Sequence, residues 1–179
     1  LEDNLLVEKS FTVTVENVND PPTITSIDDF TINEDDPTQT LNLTGITAGD
    51  GESQPLKVTA TSSNTDLIPT PTVNYTSDDA TGSLQFTPAA DQYGSSIITV
   101  TVEDGGLDGD LNTPDDNLTV TETFNLIVDP VNDAPTLDSL ANLTINEDDP
   151  TQTLNLTGIS AGDNEVQPDR KSTRLNSSH

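Results

Sequence analysis

The stretch NLTVTETFNLIVD, residues 117–129, sets Leu118, Val120, Phe124, Leu126 and Val128 at alternating positions, with Glu122 the one break in the run. Successive side chains of a strand point to opposite faces, so a period of two reads as a half-buried β-strand. The same alternation appears upstream in ITVTV (Ile98, Val100, Val102), in LKVTA (Leu56, Val58, Ala60) and in FTVTV (Phe11, Val13, Val15). Thr fills the opposite faces, where a β-branched polar residue suits a solvated sheet. No window carries the i, i+3, i+4, i+7 stripe of an amphipathic helix. Pro21-Pro22, Pro69, Pro71, Gly82, Pro88, Gly94 and Gly105-Gly106 punctuate the strands as turns. About seven short strands separated by such turns predict an all-β fold, a β-sandwich.

Composition narrows the function classes. Among 179 residues, 32 are acidic and 5 basic, a net charge of −27, with no Cys, Met or Trp. A disulfide framework, a thiolate metal site and a Cys nucleophile are therefore excluded. Nucleic acid and anionic membrane surfaces need a cationic face that this chain lacks. No run of 18 apolar residues exists to span a bilayer. The hydrophobic share, 30%, also fits a chain that stays disordered until a cation neutralises its self-repulsion.

The chain repeats itself. NEDDPTQTLNLTGI occupies residues 33–46 and again residues 146–159, an offset of 113. The same offset aligns Phe11 with Phe124, Asn19-Asp20 with Asn132-Asp133, and Gly49-Asp50 with Gly162-Asp163; 30 of 45 positions are identical over residues 11–55 and 124–168. The expected organisation is the last strand of one repeat (1–20), a complete repeat (21–133) and the opening third of another (134–168). A unit of this length can bury its own core, so beads on a string are expected, not a solenoid. Residues 169–179, DRKSTRLNSSH, hold three of the five basic residues and the one His, and break the homology after Pro168. The string matches one reading frame of a common sequencing adapter and is set aside as non-native. Leu1 is not Met, and the chain is read as a piece of a longer frame.

Carboxylates gather between the strands, most densely in EDGGLDGDLNTPDDN, residues 103–117. Calcium takes 6–8 oxygen ligands, which Gly-containing acidic loops can supply. Asp108, Asp110 and Asn112 have the 1, 3, 5 spacing of an EF-hand loop, but Thr113 and Thr119 replace its Gly and its bidentate Glu. Asp108 and Asp110 remain candidate ligands without that motif. The competing reading is that acidic loops serve solubility.

VxxVNDxP closing one repeat, TINEDD opening the next, then AGD, then VTVEDGG, are together similar to bacterial cadherin-like and Ig-like tandem repeats of large surface or secreted proteins. The resemblance covers residues 11–168. It implies Ig-like/cadherin-like antiparallel β-sandwich repeats in tandem, with calcium (Ca2+) at the junctions. Carried over, Glu34 resembles the opening Glu of cadherins. Asn19-Asp20 and Asn132-Asp133 resemble the linker, with Glu16 and Asp129 as the preceding acids. Asp50 and Asp163 fall at the Asp-x-Asp position, Asp104 before the final strand, and Asp91 nearest to the Asp-Arg-Glu motif. The full cadherin set is absent: AGDGE has one Asp, and no Asp-Arg-Glu occurs. One or two weaker sites per junction are the expectation.

The resemblance thus implies an extracellular or cell-surface structural and adhesive module. Its partners are neighbouring repeats of the same chain, with homophilic or surface and matrix ligands beyond them. The alternative is a carbohydrate- or matrix-binding module without calcium dependence. Such sites use stacking aromatics, and only Tyr75, Tyr93 and four Phe are present, the Phe in strand patterns. Catalysis is not expected, since residues 1–168 contain no His, no Cys and no G-x-S-x-G elbow. Sequons at Asn42, Asn74, Asn117, Asn142 and Asn155 are read as products of an Asn- and Thr-rich composition.

Overall fold

The computed structural model describes residues 6–162. Seven strands form: β1 (Phe30–Asn33), β2 (Gln39–Thr44), β3 (Leu56–Ser62), β4 (Thr72–Asn74), β5 (Thr81–Phe86), β6 (Gly94–Asp104) and β7 (Thr119–Asp129). They make two sheets, in the orders β1-β7-β6-β3 and β2-β5-β4. Among the described residues there is no helix, and so none able to cross a membrane.

The alternation read from the sequence is what the sheets bury. Ile98, Val100 and Val102 of β6 and Phe124, Leu126 and Val128 of β7 turn inward, along with Leu56 and Val58 of β3 and Ile32 of β1. Leu43 of β2 and Leu84 and Phe86 of β5 face them from the second sheet. Phe86 meets Phe30 edge to face, ring centroids 5.9 Å apart and planes at 84°, the geometry that ring quadrupoles favour. Between strands, Ile24, Ile46, Ala48, Leu67 and Ile68 close the core. Ala89 N–H bonds the Leu67 carbonyl at 2.8 Å, tying the stretch before β4 to the stretch after β5.

Two details differ from the sequence reading. One pairing is parallel: β1 runs alongside β7, Phe30 opposite Leu126 and Asn33 opposite Asp129. The chain leaves the first sheet after β1 and enters the second as β2, and the long stretch back to β7 supplies the crossover that parallel pairing requires. Secondly, FTVTV (residues 11–15) forms no strand; Phe11, Val13 and Val15 are exposed. At the repeat offset this segment corresponds to β7, which is held by β1 and β6 on either side. Among the described residues no strand flanks residues 11–15 in that way. Glu122, the break in the β7 pattern, lies opposite Val100, four residues before the first position that β1 pairs. It is half-buried at an edge that β1 does not cover.

Candidate functional sites at the two ends of the sandwich

The acidic loops collect at the two ends of β7, which are separated by about 33 Å at strand rise. At the end where β7 starts, the incoming linker meets the loops before β3 and after β6. Asn19 is the centre of this contact. Its side-chain N–H donates to Asp104 Oδ1 at 3.1 Å and to the Asp116 carbonyl at 2.9 Å. Its side-chain oxygen accepts from Gln54 Nε2 at 2.6 Å. Glu52 takes Asn17 Nδ2 at 3.1 Å, the Asp20 N–H at 3.2 Å and Gln54 Nε2 at 2.9 Å.

Asp104 is fully buried. Besides Asn19, its Oδ1 accepts the N–H groups of Gly106 (3.0 Å) and Leu118 (2.9 Å), which pins both ends of the long β6–β7 loop. Its Oδ2 has no hydrogen-bond partner, and neither do the buried oxygens Gln54 Oε1 and Asn117 Oδ1. All three are acceptors, so only a donor or a cation can satisfy them. Within the loop, Asp108 and Asp110 are exposed. Asp108 Oδ1 accepts the Asp110 N–H at 2.9 Å, and Asp108 Oδ2 accepts the Thr113 hydroxyl at 2.6 Å. Asp110 Oδ1 accepts both N–H donors of Asn112, and those bonds hold its carboxyl below the usual range. These oxygens organise the loop's own turns.

At the other end, β1 and β7 finish side by side. Glu34 is almost wholly buried. Its N–H donates to the Asp129 carbonyl at 2.9 Å, and its Oε1 accepts the Val131 N–H at 2.7 Å. The side chain thereby continues the β1–β7 ladder past the last strand residue. Glu34 Oε2 is buried with no hydrogen-bond partner. At its neighbour in the chain, Asp35, three carboxylates meet: Asp35, Asp91 and Asp133 each bring an oxygen within 4.8 Å of the others. Asp35 (φ 63°) and Asp91 (φ 56°) are both left-handed, a conformation Asp tolerates better than most residues. The Asp91 N–H donates to Asp35 Oδ1 at 3.2 Å. Two oxygens bound to one calcium at 2.3–2.6 Å lie up to about 5 Å apart. The all-oxygen donor set and its spacing therefore fit a hard cation.

The residues singled out from the sequence divide accordingly. Asn19, Asp20 and Asp104 come together at the first end, and Glu34, Asp91 and Asp133 at the second, next to Asp129 and Asn132 in the chain. Glu16, Asp50 and Asp129 are exposed, and Asp163 lies outside the described residues. Sequence reasoning missed Asp35, Glu52, Gln54 and Asp116. A signal was available for three of them: Asp35, Glu52 and Gln54 recur at the repeat offset as Asp148, Glu165 and Gln167.

No curated protein matches the chain. Among solved structures, it is similar to titin domains Z1Z2, crystallised in complex with telethonin, at 15% identity and a TM-score of 0.36, over 66% of this chain and 52% of that one. It is also similar to surface layer protein SbsC: domains 1–6 at 15% identity and TM-score 0.34, over 65% of this chain and 15% of that one. Domains 4–9 give 16% identity and TM-score 0.36, over 70% and 16%. The chain thus spans about half of the titin chain and less than a fifth of each surface layer chain. The family described as Bacterial Ig domain matches residues 19–121, from the docked Asn19 into β7, and the chain belongs to that family.

Proposed function

We propose that the chain is a stretch of a bacterial surface or secreted rod, built from tandem Ig repeats whose junctions calcium stiffens. It acts as a structural and adhesive spacer, and not as a catalyst. The observation that carries the reading is the meeting of Asp133, a linker residue, with Asp35 and Asp91 of the sandwich. An ion shared by those carboxylates ties the linker to the domain it leaves. Glu34 Oε2, buried beside them in sequence and lacking a donor, supports the same reading. So does the net charge of −27, which a bound cation relieves locally.

The test is thermal unfolding of the chain by circular dichroism in EDTA and across a calcium titration, with magnesium as control. Modules of this kind bind calcium at about 10⁻⁴–10⁻³ M. At about 100-fold excess over Kd, binding to the folded state contributes about 2.7 kcal/mol, which raises Tm by roughly 10 °C for a domain of this size. Asp91→Asn and Asp133→Asn blunt the rise. A melt indifferent to calcium sinks the ion joint.

A further inference from the structure

The Val-Asn-Asp linker occurs twice, as Val18-Asn19-Asp20 and Val131-Asn132-Asp133, and the structure shows it from opposite sides. The first copy is seen against the sandwich that follows it: Asn19 against Asp104, Asp116 and Gln54, and the Asp20 N–H against Glu52. The second copy is seen against the sandwich that precedes it, where Glu34 Oε1 takes the Val131 N–H at 2.7 Å. The two sets use different atoms. The contact upstream needs the backbone N–H of Val. The contacts downstream need the side chain of Asn and the N–H of Asp. In the second copy the Asn132 amide donates to the Asp133 carbonyl at 2.9 Å; turning it outward, as Asn19 is turned, does not touch the Val131 bond, so the two sets do not compete for an atom.

A third contact recurs in both copies. Gly49 (φ 120°) lies so close to the linker that a Cβ there would sit 2.9 Å from Asp20 Cβ. Gly162 (φ 122°) lies the same way, its Cβ position 2.5 Å from Asp133 Cβ. Asp133 is thus in contact with the next repeat through Gly162 while its carboxylate faces Asp35 and Asp91 of the repeat before. In the next repeat, Glu165 and Gln167 stand in sequence where Glu52 and Gln54 stand in this one.

We propose that Val-Asn-Asp is a two-sided clasp, which joins each repeat to its successor through direct hydrogen bonds before any ion binds. The partner surface is the end of another copy of this repeat: a buried Glu on one side, a Gln/Asp/Glu-lined notch on the other. The proposal rests on the tandem reading above and assigns the joint's basal order to the protein alone, with calcium acting on top of it.

Amide hydrogen exchange and heteronuclear NOEs of the whole chain in EDTA test it. Asp20 and Val131 amides are expected to exchange at least about tenfold more slowly than in an unfolded peptide. Glu34→Ala abolishes protection at Val131 and leaves Asp20 protected; Asn19→Ala loosens residues 17–20 and leaves Val131 protected. Glu34→Gln, which keeps an acceptor oxygen, retains the protection at Val131. The β6 and β7 amides report that each variant is folded. Linkers unprotected in EDTA and ordered only by calcium overturn the clasp and leave the ion joint standing. Protection unmoved by Glu34→Ala and Asn19→Ala overturns it too. Protected linkers beside a calcium-indifferent melt sink the ion joint and leave the clasp.

Discussion

Asn19 donates a hydrogen bond to Asp104 at 3.1 Å, across 85 residues of chain, and the carboxylate that receives it is fully buried. A linker side chain is therefore part of the sandwich's interior network. Two backbone N–H groups, of Gly106 and Leu118, depend on the same oxygen. Asp104→Ala strands three donors and is expected to cost at least about 3 kcal/mol, since each buried orphan costs roughly 1–3 kcal/mol. Asp104→Asn retains an acceptor and costs less. Urea denaturation of both variants gives the ranking, and equal losses would contradict the assigned role of Oδ1.

Asp35, Asp91 and Asp133 predict a change of sign. Without calcium, like charges this close repel, so Asp91→Asn should stabilise the chain by about 0.5–1 kcal/mol, the scale of partly solvated charge interactions. In saturating calcium the same substitution replaces an anionic ligand by a neutral, weaker one and should destabilise. Chemical denaturation in EDTA and in calcium reads both values.

Asp29 gives a pH dependence. The backbone N–H of Asn125 donates to Asp29 Oδ1 at 2.7 Å and its side-chain amide adds two longer bonds, which together lower the Asp29 pKa. A carboxyl with a depressed folded pKa stabilises above its unfolded value and loses that contribution as pH falls through the folded one. Stability should therefore fall as the pH drops below the ordinary Asp range near 3.8. Asp29→Asn should flatten that part of the curve. Urea midpoints of the two proteins between pH 2 and 6 provide the comparison.

Gly49 and Gly51 separate backbone strain from crowding. Both have positive φ, but a Cβ at Gly49 would collide with Asp20 and one at Gly51 would meet nothing within 4 Å. Gly51→Ala should cost about 1 kcal/mol for the left-handed conformation alone. Gly49→Ala should cost more, roughly 2–3 kcal/mol, and should loosen the linker, visible as faster amide exchange at Asp20.

Phe11 and Phe124 occupy the same place in the 113-residue repeat. Phe124 is 2% exposed and Phe11 is 87% exposed. Phe124→Ala should therefore cost about 3–5 kcal/mol, whereas Phe11→Ala should stay within about 0.5 kcal/mol. Thermal melts of the two variants settle the contrast.

The strands were readable because burial of alternate side chains leaves a period of two in the residues themselves: Leu56 and Val58, Ile98 to Val102, Leu118 to Val128. The parallel β1–β7 edge was not, because pairing direction depends on which sheet a segment joins and leaves no local pattern. Among candidate ligands, Asn19, Asp104, Glu34, Asp91 and Asp133 were named through the resemblance to cadherin-like repeats, which carries motif positions along the chain. Gln54 and Glu52 escaped because their role comes from a linker more than 30 residues away.

The second copy of the repeat divides the two contributions. Its local geometry matches the first. Asn146 N–H bonds Asp149 Oδ2 at 2.7 Å as Asn33 N–H bonds Asp36 Oδ2 at 2.9 Å, and Thr136 bridges Ser160 as Thr23 bridges Thr47. Turns close over a few residues, so the sequence alone determines them. Yet Ile145, Leu156 and Ile159 are more than half exposed, where Ile32, Leu43 and Ile46 are buried. Residues matching β1 and β2 form no strands there: β1 and β2 exist by pairing with β7 and β5, and among the described residues no segment pairs with the second copy in that way. The same residues become core only when distant strands cover them, since ladder hydrogen bonds and apolar burial both require a partner surface. Sequence set the turns and the strand period; the tertiary structure decided which faces are buried and how the linker is held.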